Sequence, residues 1–300
     1  VTRILVLPGI GDIYWIAVAL EGFARRHGLT DLELTVWDFD GRRRGQDFVE
    51  RIPFVRSGGY YLKPPHPAKM PEFRQSYLTG EQSVFPGLFG FDYYLAVNGA
   101  LRLGRTVEET LDVECRWHFP LRRTPAEQEA ELLTARQYGP YILAHFSDFG
   151  IFKPWVKAWG LAGCARFCQD VHKASGATVL LTGCAWDLPF AQAVAGRAGA
   201  GTVCLAGETD PDTFYGILHG ALGIVGWPGG NTILGASLRK PTLIGWSQAA
   251  FSHPGFYRTS CPPDVWQRTY HAITVELERP FLAARRFIRA LEDGGQVVAA

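Results

Sequence analysis

The chain has no excess of charge of either sign: 30 Lys and Arg stand against 29 Asp and Glu, a formal net charge of +1 over 300 residues. A balance that close leaves no global field to gather nucleic acid or an anionic membrane. Also missing is any run approaching the ~20 apolar residues of a membrane span. The N-terminal apolar run, Ile4–Leu7, is too short for a signal peptide. Six cysteines occur (Cys115, Cys164, Cys168, Cys184, Cys204 and Cys261) with no C-x-x-C pair among them. Cys164 and Cys168 share a helical face, but no nearby His or second pair completes a zinc site. Buried free thiols, packing as small hydrophobes, are the expectation. Together these absences predict a cytoplasmic protein with no membrane span, no metal and no resident cofactor.

What remains is a composition that can bury two cores. The chain is 47% hydrophobic, and a domain takes about 100–200 residues. It carries 9 Trp, 11 Tyr and 19 Phe, enough to fill interiors and still leave aromatic surface in loops for sugar rings. Ile4–Leu7, an amphipathic stretch from Tyr14 to His27 and a second apolar run at Leu32–Trp37 read as β-turn-α-β, the opening of a parallel sheet. Residues 41–90, with prolines at 64, 65, 67, 71 and 86, read as long loops with short elements. Asp92–Val97 reads as a strand and Val107–Leu111 as a short helix.

Thr124, Pro125 and the acidic residues behind them predict a capped helix over 124–136, read as interdomain. A second α/β series follows Gly139-Pro140. Its strands are Tyr141–His145, Thr178–Thr182, Val203–Ala206 and Leu222–Val225, with helices at Leu161–Ser175, Leu188–Ala198 and Pro211–Leu218. The predicted organisation is an N-terminal Rossmann-like acceptor domain (1–123), a linker helix (124–139), a Rossmann-like donor domain (140–278) and a C-terminal helix and tail (279–300). Ligands of such folds bind beyond the carboxyl ends of parallel strands, so the active site is expected in the cleft between the halves.

The residues that carry chemistry sit where those strands end. Pro8-Gly9-Ile10-Gly11-Asp12 follows the first strand. Its glycines let substrate approach, and Asp12 is either a base for a hydroxyl nucleophile or a helix N-cap. The run lacks the third glycine of a dinucleotide fingerprint, and Asp38 and Asp40 after the second strand stand without support. Ser147, with Lys153 and Lys157 competing for the same part, suits a diphosphate held by hydroxyl and ammonium donors. Gly183 and Asp187 follow the next strand, where Asp187 is placed to accept from ribose hydroxyls and Trp186 to cover a base. Glu208 closes another strand as a second ribose or base candidate. Gly229, Gly230, Asn231 and Thr232 form a glycine-rich turn between strand and helix, which presents N–H groups to a phosphate.

The order of these pieces resembles glycosyltransferase family 9, the heptosyltransferase-like enzymes of the GT-B fold. Gly11-Asp12 is similar to that family's Gly-Asp opening, and Lys157-Ala-Trp159 to its Lys-x-Trp. Gly176 to Gly183 is similar to its Gly-Ala-x-Val-Leu-Leu-Thr-Gly, Leu205-Ala-Gly207 to its Leu-x-Gly, and Gly226 to Pro241 to its last, Asn-Asp-Ser-Gly motif. The chain differs there, with Trp227-Pro228-Gly229-Gly230 in place of Asn-Asp-Ser-Gly and Ile233 where the family has His. The resemblance implies a metal-independent, inverting transfer from a nucleotide-diphosphate sugar to a glycan or other hydroxyl acceptor. Asp12 is then the general base, and Lys157 and the Gly229–Thr232 turn hold the diphosphate; Ser147, Gly183, Asp187 and Glu208 complete the donor-binding set, and Gly9, Gly11 and Tyr14 meet the acceptor. The closing helix is expected to pack back near the first domain.

Two other readings stay open. Arg42–Arg44, Lys63, His66 and Lys69 among aromatics would serve a transferase that glycosylates modified bases in DNA, with DNA as acceptor. The altered last motif fits a non-catalytic nucleotide-sugar or glycan-binding protein. Arg285-Arg286 with Phe281, Phe287 and Ile288 is the nearest candidate for a membrane-surface helix, and packing on the body is the simpler expectation.

Overall fold

The computed structural model describes residues 1–62, 69–71, 82–102, 104–117, 121–147, 153–247 and 270–294. Lys63, His66 and Cys261 lie outside the described residues, as do the side chain of Lys153 and the tail after residue 294. The chain folds as two compact units, the first built on Val1–Arg122 and the second beginning at Arg123.

The first unit contains β1 (Thr2–Val6), α1 (Ile10–His27), β2 (Leu32–Asp38), α2 (Gln46–Glu50), β3 (Val55–Leu62), β4 (Val84–Pro86), β5 (Tyr93–Leu95), α3 (Asn98–Arg102) and α4 (Val107–Leu111). Its sheet runs β3-β2-β1-β5-β4, with only β4 antiparallel to its neighbour. Ile4, Leu5 and Val6 are fully buried, as expected of a central parallel strand covered on both faces. α1 begins at Ile10, four residues earlier than the amphipathic pattern indicates, and is capped at its C-terminus by Gly28 with φ 65°. That left-handed residue donates its N–H to Ala24 and Arg25, and Arg25, Arg26 and His27 in the last turn suit the helix dipole.

The stretch read as loop contains a full strand, β3. Gly58 and Gly59 suggest a turn, but a Cβ at Gly58 would stand 2.2 Å from Thr35 Oγ1, so this glycine serves close strand packing. The pairing with β2 shifts register between Leu34 and Val36, which accommodates the irregularity. Trp37, Phe85, Phe91 and Tyr94 fill one sheet face, with Phe89 edge-on to Trp37 at 5.2 Å.

The second unit contains α5 (Pro125–Tyr138), β6 (Tyr141–His145), α6 (Lys153–Ser175), β7 (Thr178–Leu181), α7 (Leu188–Ala198), β8 (Thr202–Cys204), α8 (Pro211–Gly220), β9 (Ile224–Gly226), α9 (Gly230–Ser237), β10 (Thr242–Trp246), β11 (Tyr270–Thr274) and α10 (Pro280–Asp293). All its strands are parallel in the order β11-β10-β9-β6-β7-β8, the 3-2-1-4-5-6 order of a doubly wound dinucleotide fold read from the other edge. The strand order reverses between β6 and β9.

α5 starts on the expected capping box, with Glu127 N–H on Thr124 Oγ1 at 3.1 Å and Thr124 N–H on Glu127 Oε2 at 3.2 Å. It packs on α8 within the second unit: a Cβ at Gly216 would stand 2.5 Å from Glu127 O, so only glycine allows the approach. α6 begins at Lys153, ahead of the expected Leu161, and breaks at Gly160 (φ 64°). The closing helix α10 lies on α6 of its own unit, burying Ala283, Ala284, Phe287, Ile288 and Leu291. A fully buried Phe such as Phe287 contributes about 1.5–3 kcal/mol. Gly163 permits the crossing, since a Cβ there would stand 3.2 Å from Pro280.

Among the described residues Cys115, Cys164, Cys168, Cys184 and Cys204 are free thiols. Burial holds Cys168 up at about 12 and Cys164 well above the ordinary thiol range. The expectation of buried thiols fails at Cys184, which is exposed because it lies in the loop after β7. No helix among the described residues is long and apolar enough to cross a membrane.

Candidate functional site

At the first β–α junction the N-cap is Gly9, with no side-chain cap, and Asp12 occupies the third helical position. Asp12 is half-buried, and its Oδ1 accepts from Asn98 Nδ2 at 2.8 Å. Its Oδ2 lies over Gly9, where an added Cβ would be 2.4 Å away. Glycine at 9 therefore leaves room for this carboxylate orientation, and α3 supplies the amide that holds it. Asn98 escapes a sequence reading because it lies 86 positions away. Gly11 is buried, and Tyr14, 4% exposed, packs into the core of the unit with little surface to offer an acceptor.

The charged loop after β2 pairs most of its charges internally. Asp38, at the strand end, accepts from Arg43 N–H at 3.2 Å, and Asp40 pairs with Arg42 at 3.6 Å and Arg44 at 2.7 Å. Two of the three arginines counted toward a DNA acceptor thus answer a carboxylate of their own loop.

In the second unit the carboxyl ends of β6 and β7 bring four residues together. Ser147 is fully buried and donates to Asp187 Oδ1; Cys184 N–H donates to Oδ2 at 2.9 Å, and His145 Nε2 lies 3.5 Å from Oδ2. Asp187 is 2% exposed. Burial raises its pKa, but hydrogen bonding and charge from His145, then bonds from Ser147 and Cys184, outweigh that and leave it below the ordinary carboxylate value. Ser147 and Asp187, read separately as donor contacts, thus face each other: the pair locks the β6 and β7 loops, and Asp187 has its oxygens committed inside the protein. Gly183 belongs to the same lock, since a Cβ there would stand 2.8 Å from Asp187 Cβ.

Across the switch point, β9 leads through Trp227 and Pro228 into α9, whose N-cap is Gly229. Gly229, Gly230 and Asn231 are half-buried, and the first helical bond runs from Ile233 N–H to Gly229 O at 3.2 Å. The N–H groups of 230–232 precede it, so they are the donors a helix start presents to an anion. Thr232 does not add its hydroxyl: it is 1% exposed and donates to Gly229 O at 2.8 Å. Trp227 and Ile233, where the chain departs from the resembled motif, are core residues at 1% and 4% exposure. Trp227 packs on Phe146 at 5.1 Å and on Trp159 at 5.9 Å, and Gly245 leaves it room, a Cβ there being 2.6 Å from the indole, while Gly229 to Asn231 beyond it stay half-buried. Lys157 is exposed on the segment before the Gly160 break, while Trp159 of the same motif is core, its Nε1 on Glu278 O at 3.1 Å. Glu208 is exposed beyond β8. Among the described residues no three His, Cys, Asp or Glu side chains gather as metal ligands.

No family model matches this chain, and no curated protein matches it by sequence. Solved structures do match. The chain is similar to E. coli ADP-heptose LPS heptosyltransferase II, with a TM-score of 0.65 at 15% identity over 98% of this chain and 100% of that one. It is similar to a glycosyl transferase family 9 protein from Veillonella parvula, with a TM-score of 0.66 at 10% identity over 97% of each chain. E. coli heptosyltransferase WaaC with ADP aligns over 99% of each chain, with a TM-score of 0.51 at 14% identity. At such identities the likeness speaks for the fold: this chain has the two-Rossmann, GT-B architecture of these proteins.

Proposed function

We propose that the chain is a heptosyltransferase-like glycosyltransferase, moving a sugar from a nucleotide-diphosphate donor to an acceptor hydroxyl without a metal and with inversion. One observation carries the reading: Asn98 holds the half-buried carboxylate of Asp12 at the first β–α junction. A general base needs that combination of a fixed geometry and access to its proton. The helix-start amides of α9, at the switch point of the second sheet, support the donor half. The similar structures, an ADP-heptose heptosyltransferase and a heptosyltransferase with ADP, make ADP-heptose the first donor to try and ADP the first nucleotide.

In the proposed reaction the acceptor hydroxyl attacks the anomeric carbon while Asp12 takes its proton on Oδ2, the oxygen Asn98 does not hold. The anomeric C–O bond to the β-phosphate breaks, and the nucleotide diphosphate leaves with the electron pair. The amides of α9 and Lys157 stabilise that charge, the electrostatic task that often dominates catalysis. Attack opposite the leaving group inverts the anomeric centre. Ser147, Asp187 and Gly183 hold the loops beneath the donor rather than the donor itself.

The test is thermal-shift binding of ADP, UDP, GDP, CMP and dTDP, with Mg²⁺ and with EDTA, followed by turnover of the matching sugar nucleotide. A ligand at a hundredfold excess over its Kd adds about 2.7 kcal/mol. The reading expects a shift with one diphosphate that EDTA leaves intact and Lys157→Ala weakens. No shift with any of them sinks it. The burial of Trp227 and Ile233 favours a second reading, a binding protein without turnover. That reading expects the same shift, no transfer, and no change on Asp12→Asn.

A further inference from the structure

Three of the large exposed apolar side chains among the described residues stand together where β11 turns into α10: Leu277 at 74% exposure, Phe281 at 37% and Leu282 at 43%. The core does not need them, because α10 meets α6 with its opposite face. Of the residues read from the sequence as a surface helix, Phe287 and Ile288 are buried and Phe281 stays outside. An open groove of about 620 Å³ runs beside them, lined by Leu277, Leu282, Glu278, Arg285, Arg286 and Arg289 among others. It lies at the edge strand β11, away from the β6–β9 switch point, and so is not the donor position.

The groove carries three arginines against one glutamate. Arg286 pairs with Glu278 at 3.1 Å. Arg285 lies 5.9 Å over the Phe281 ring, and among the described residues no carboxylate pairs with Arg285 or Arg289. Arg279 adds a further exposed cation at the start of α10, while Glu292 and Asp293 fall in its last turn. Exposed Glu276 beside Leu277 brings the whole segment to balance, so the positive surplus lies in the groove lining itself, set beside apolar side chains that water would otherwise hydrate.

We propose that this face docks on an anionic phospholipid bilayer, with Arg285, Arg286 and Arg289 on headgroup phosphates and Leu277, Phe281 and Leu282 at the acyl boundary. Basic side chains next to short apolar ones are the chemistry that rests on such an interface. Long arginine stems allow both contacts at once. The proposal does not depend on sugar transfer, and its test uses none.

The test is co-sedimentation of the full chain with phosphatidylcholine vesicles, with and without phosphatidylglycerol. Binding is expected only with phosphatidylglycerol and is expected to weaken with salt. Arg285→Ala/Arg289→Ala should lower the partition by about fivefold per arginine. Leu277→Ser/Leu282→Ser should remove the portion that survives high salt. Leu132→Ser/Leu133→Ser, at exposed positions on α5, should leave the partition unchanged. All these positions are on the surface, so melting temperatures should hold and loss of fold is separable. Equal binding to neutral vesicles, or patch variants that sediment like the parent, overturns the proposal. So does complete competition by free glycerol phosphate, which would mark a small-anion site. A dimer in sedimentation velocity that dissolves in the same variants would assign the patch to a second copy instead.

Discussion

Asp12 and Asp187 stand at equivalent kinds of place, each just beyond the end of a central parallel strand, and the fold treats them in opposite ways. Asp12 is half-buried, steadied on one oxygen by Asn98 from α3, with its other oxygen over a glycine. Asp187 is 2% exposed, and His145, Ser147 and Cys184 N–H surround it. A carboxylate encircled by donors is held ionised and has little room for an incoming proton or ribose. A half-buried one keeps part of its surface for a reacting group. The difference teaches that position at a strand's carboxyl end nominates a carboxylate, and its depth of burial decides its job.

The largest effect that could break this contrast is on turnover. Asp12→Asn is expected to lower kcat by about 10²–10⁴-fold, the usual span for a general base, with the melting temperature nearly unchanged. Loss of stability without loss of turnover would place Asp12 on the structural side. Asp187→Ala should do the reverse. It leaves the Ser147 hydroxyl and Cys184 N–H without their buried acceptor, a cost of about 3 kcal/mol in urea unfolding. The folded protein that remains should still bind the nucleotide.

The two glycines beneath the carboxylates sharpen the same point. At Gly183 a Cβ meets Asp187 Cβ at 2.8 Å, so Gly183→Ala must push against a packed stem and should destabilise by about 2 kcal/mol. At Gly9 the nearest atom is Asp12 Oδ2 at 2.4 Å, the far end of a side chain that can swing away. Gly9→Ala should therefore spare stability and reduce turnover. Asn98→Ala tests positioning: turnover is expected to fall about tenfold, and the pH–rate profile to move, because the amide acts only through Asp12.

The smallest effects are titrations on the far side of the second unit. Burial first, then Arg123 and Lys240, hold His219 down at about 4 from 6.5. The unfolded chain takes up that proton near 6.5 and the folded one only near 4, so stability is lost as pH falls between them. His219→Gln should flatten that slope in urea melts. Lys240, pushed down to about 8 from 10.5 by burial and then by Arg123, behaves likewise at the alkaline end. The unfolded state holds more protons between 8 and 10.5, so stability rises across that window, and Lys240→Met should abolish the rise. Neither change should touch turnover.

Hydrophobic patterning and local chemistry were enough to read β1, β2 and β5 of the first sheet and β6 to β9 of the second. Apolar runs at β1, β2, β6 and β7, the Thr124–Glu127 capping box and the amphipathic α7 and α8 are local signals, and each element lies where its pattern lies. β3 was not legible, because Gly58 and Gly59 mark a turn by composition while their use here is to let Thr35 come close. The early start of α6 was hidden by Gly160, whose break splits one helix into two. Trp186-Asp187 and Ser147 each looked like ligand contacts because a polar residue after a strand usually faces solvent.

By itself, then, the sequence determined the α/β character of both halves and the strand ends that carry polar residues. These follow from side-chain periodicity and from turn and cap chemistry, which act over a few residues. Only the tertiary structure decided which polar groups meet. Ser147 finds Asp187 40 positions on, Asn98 finds Asp12 across 86, and Trp227 takes a place in the core. Burial and hydrogen-bond partners depend on strand order and loop path, and no local pattern encodes either.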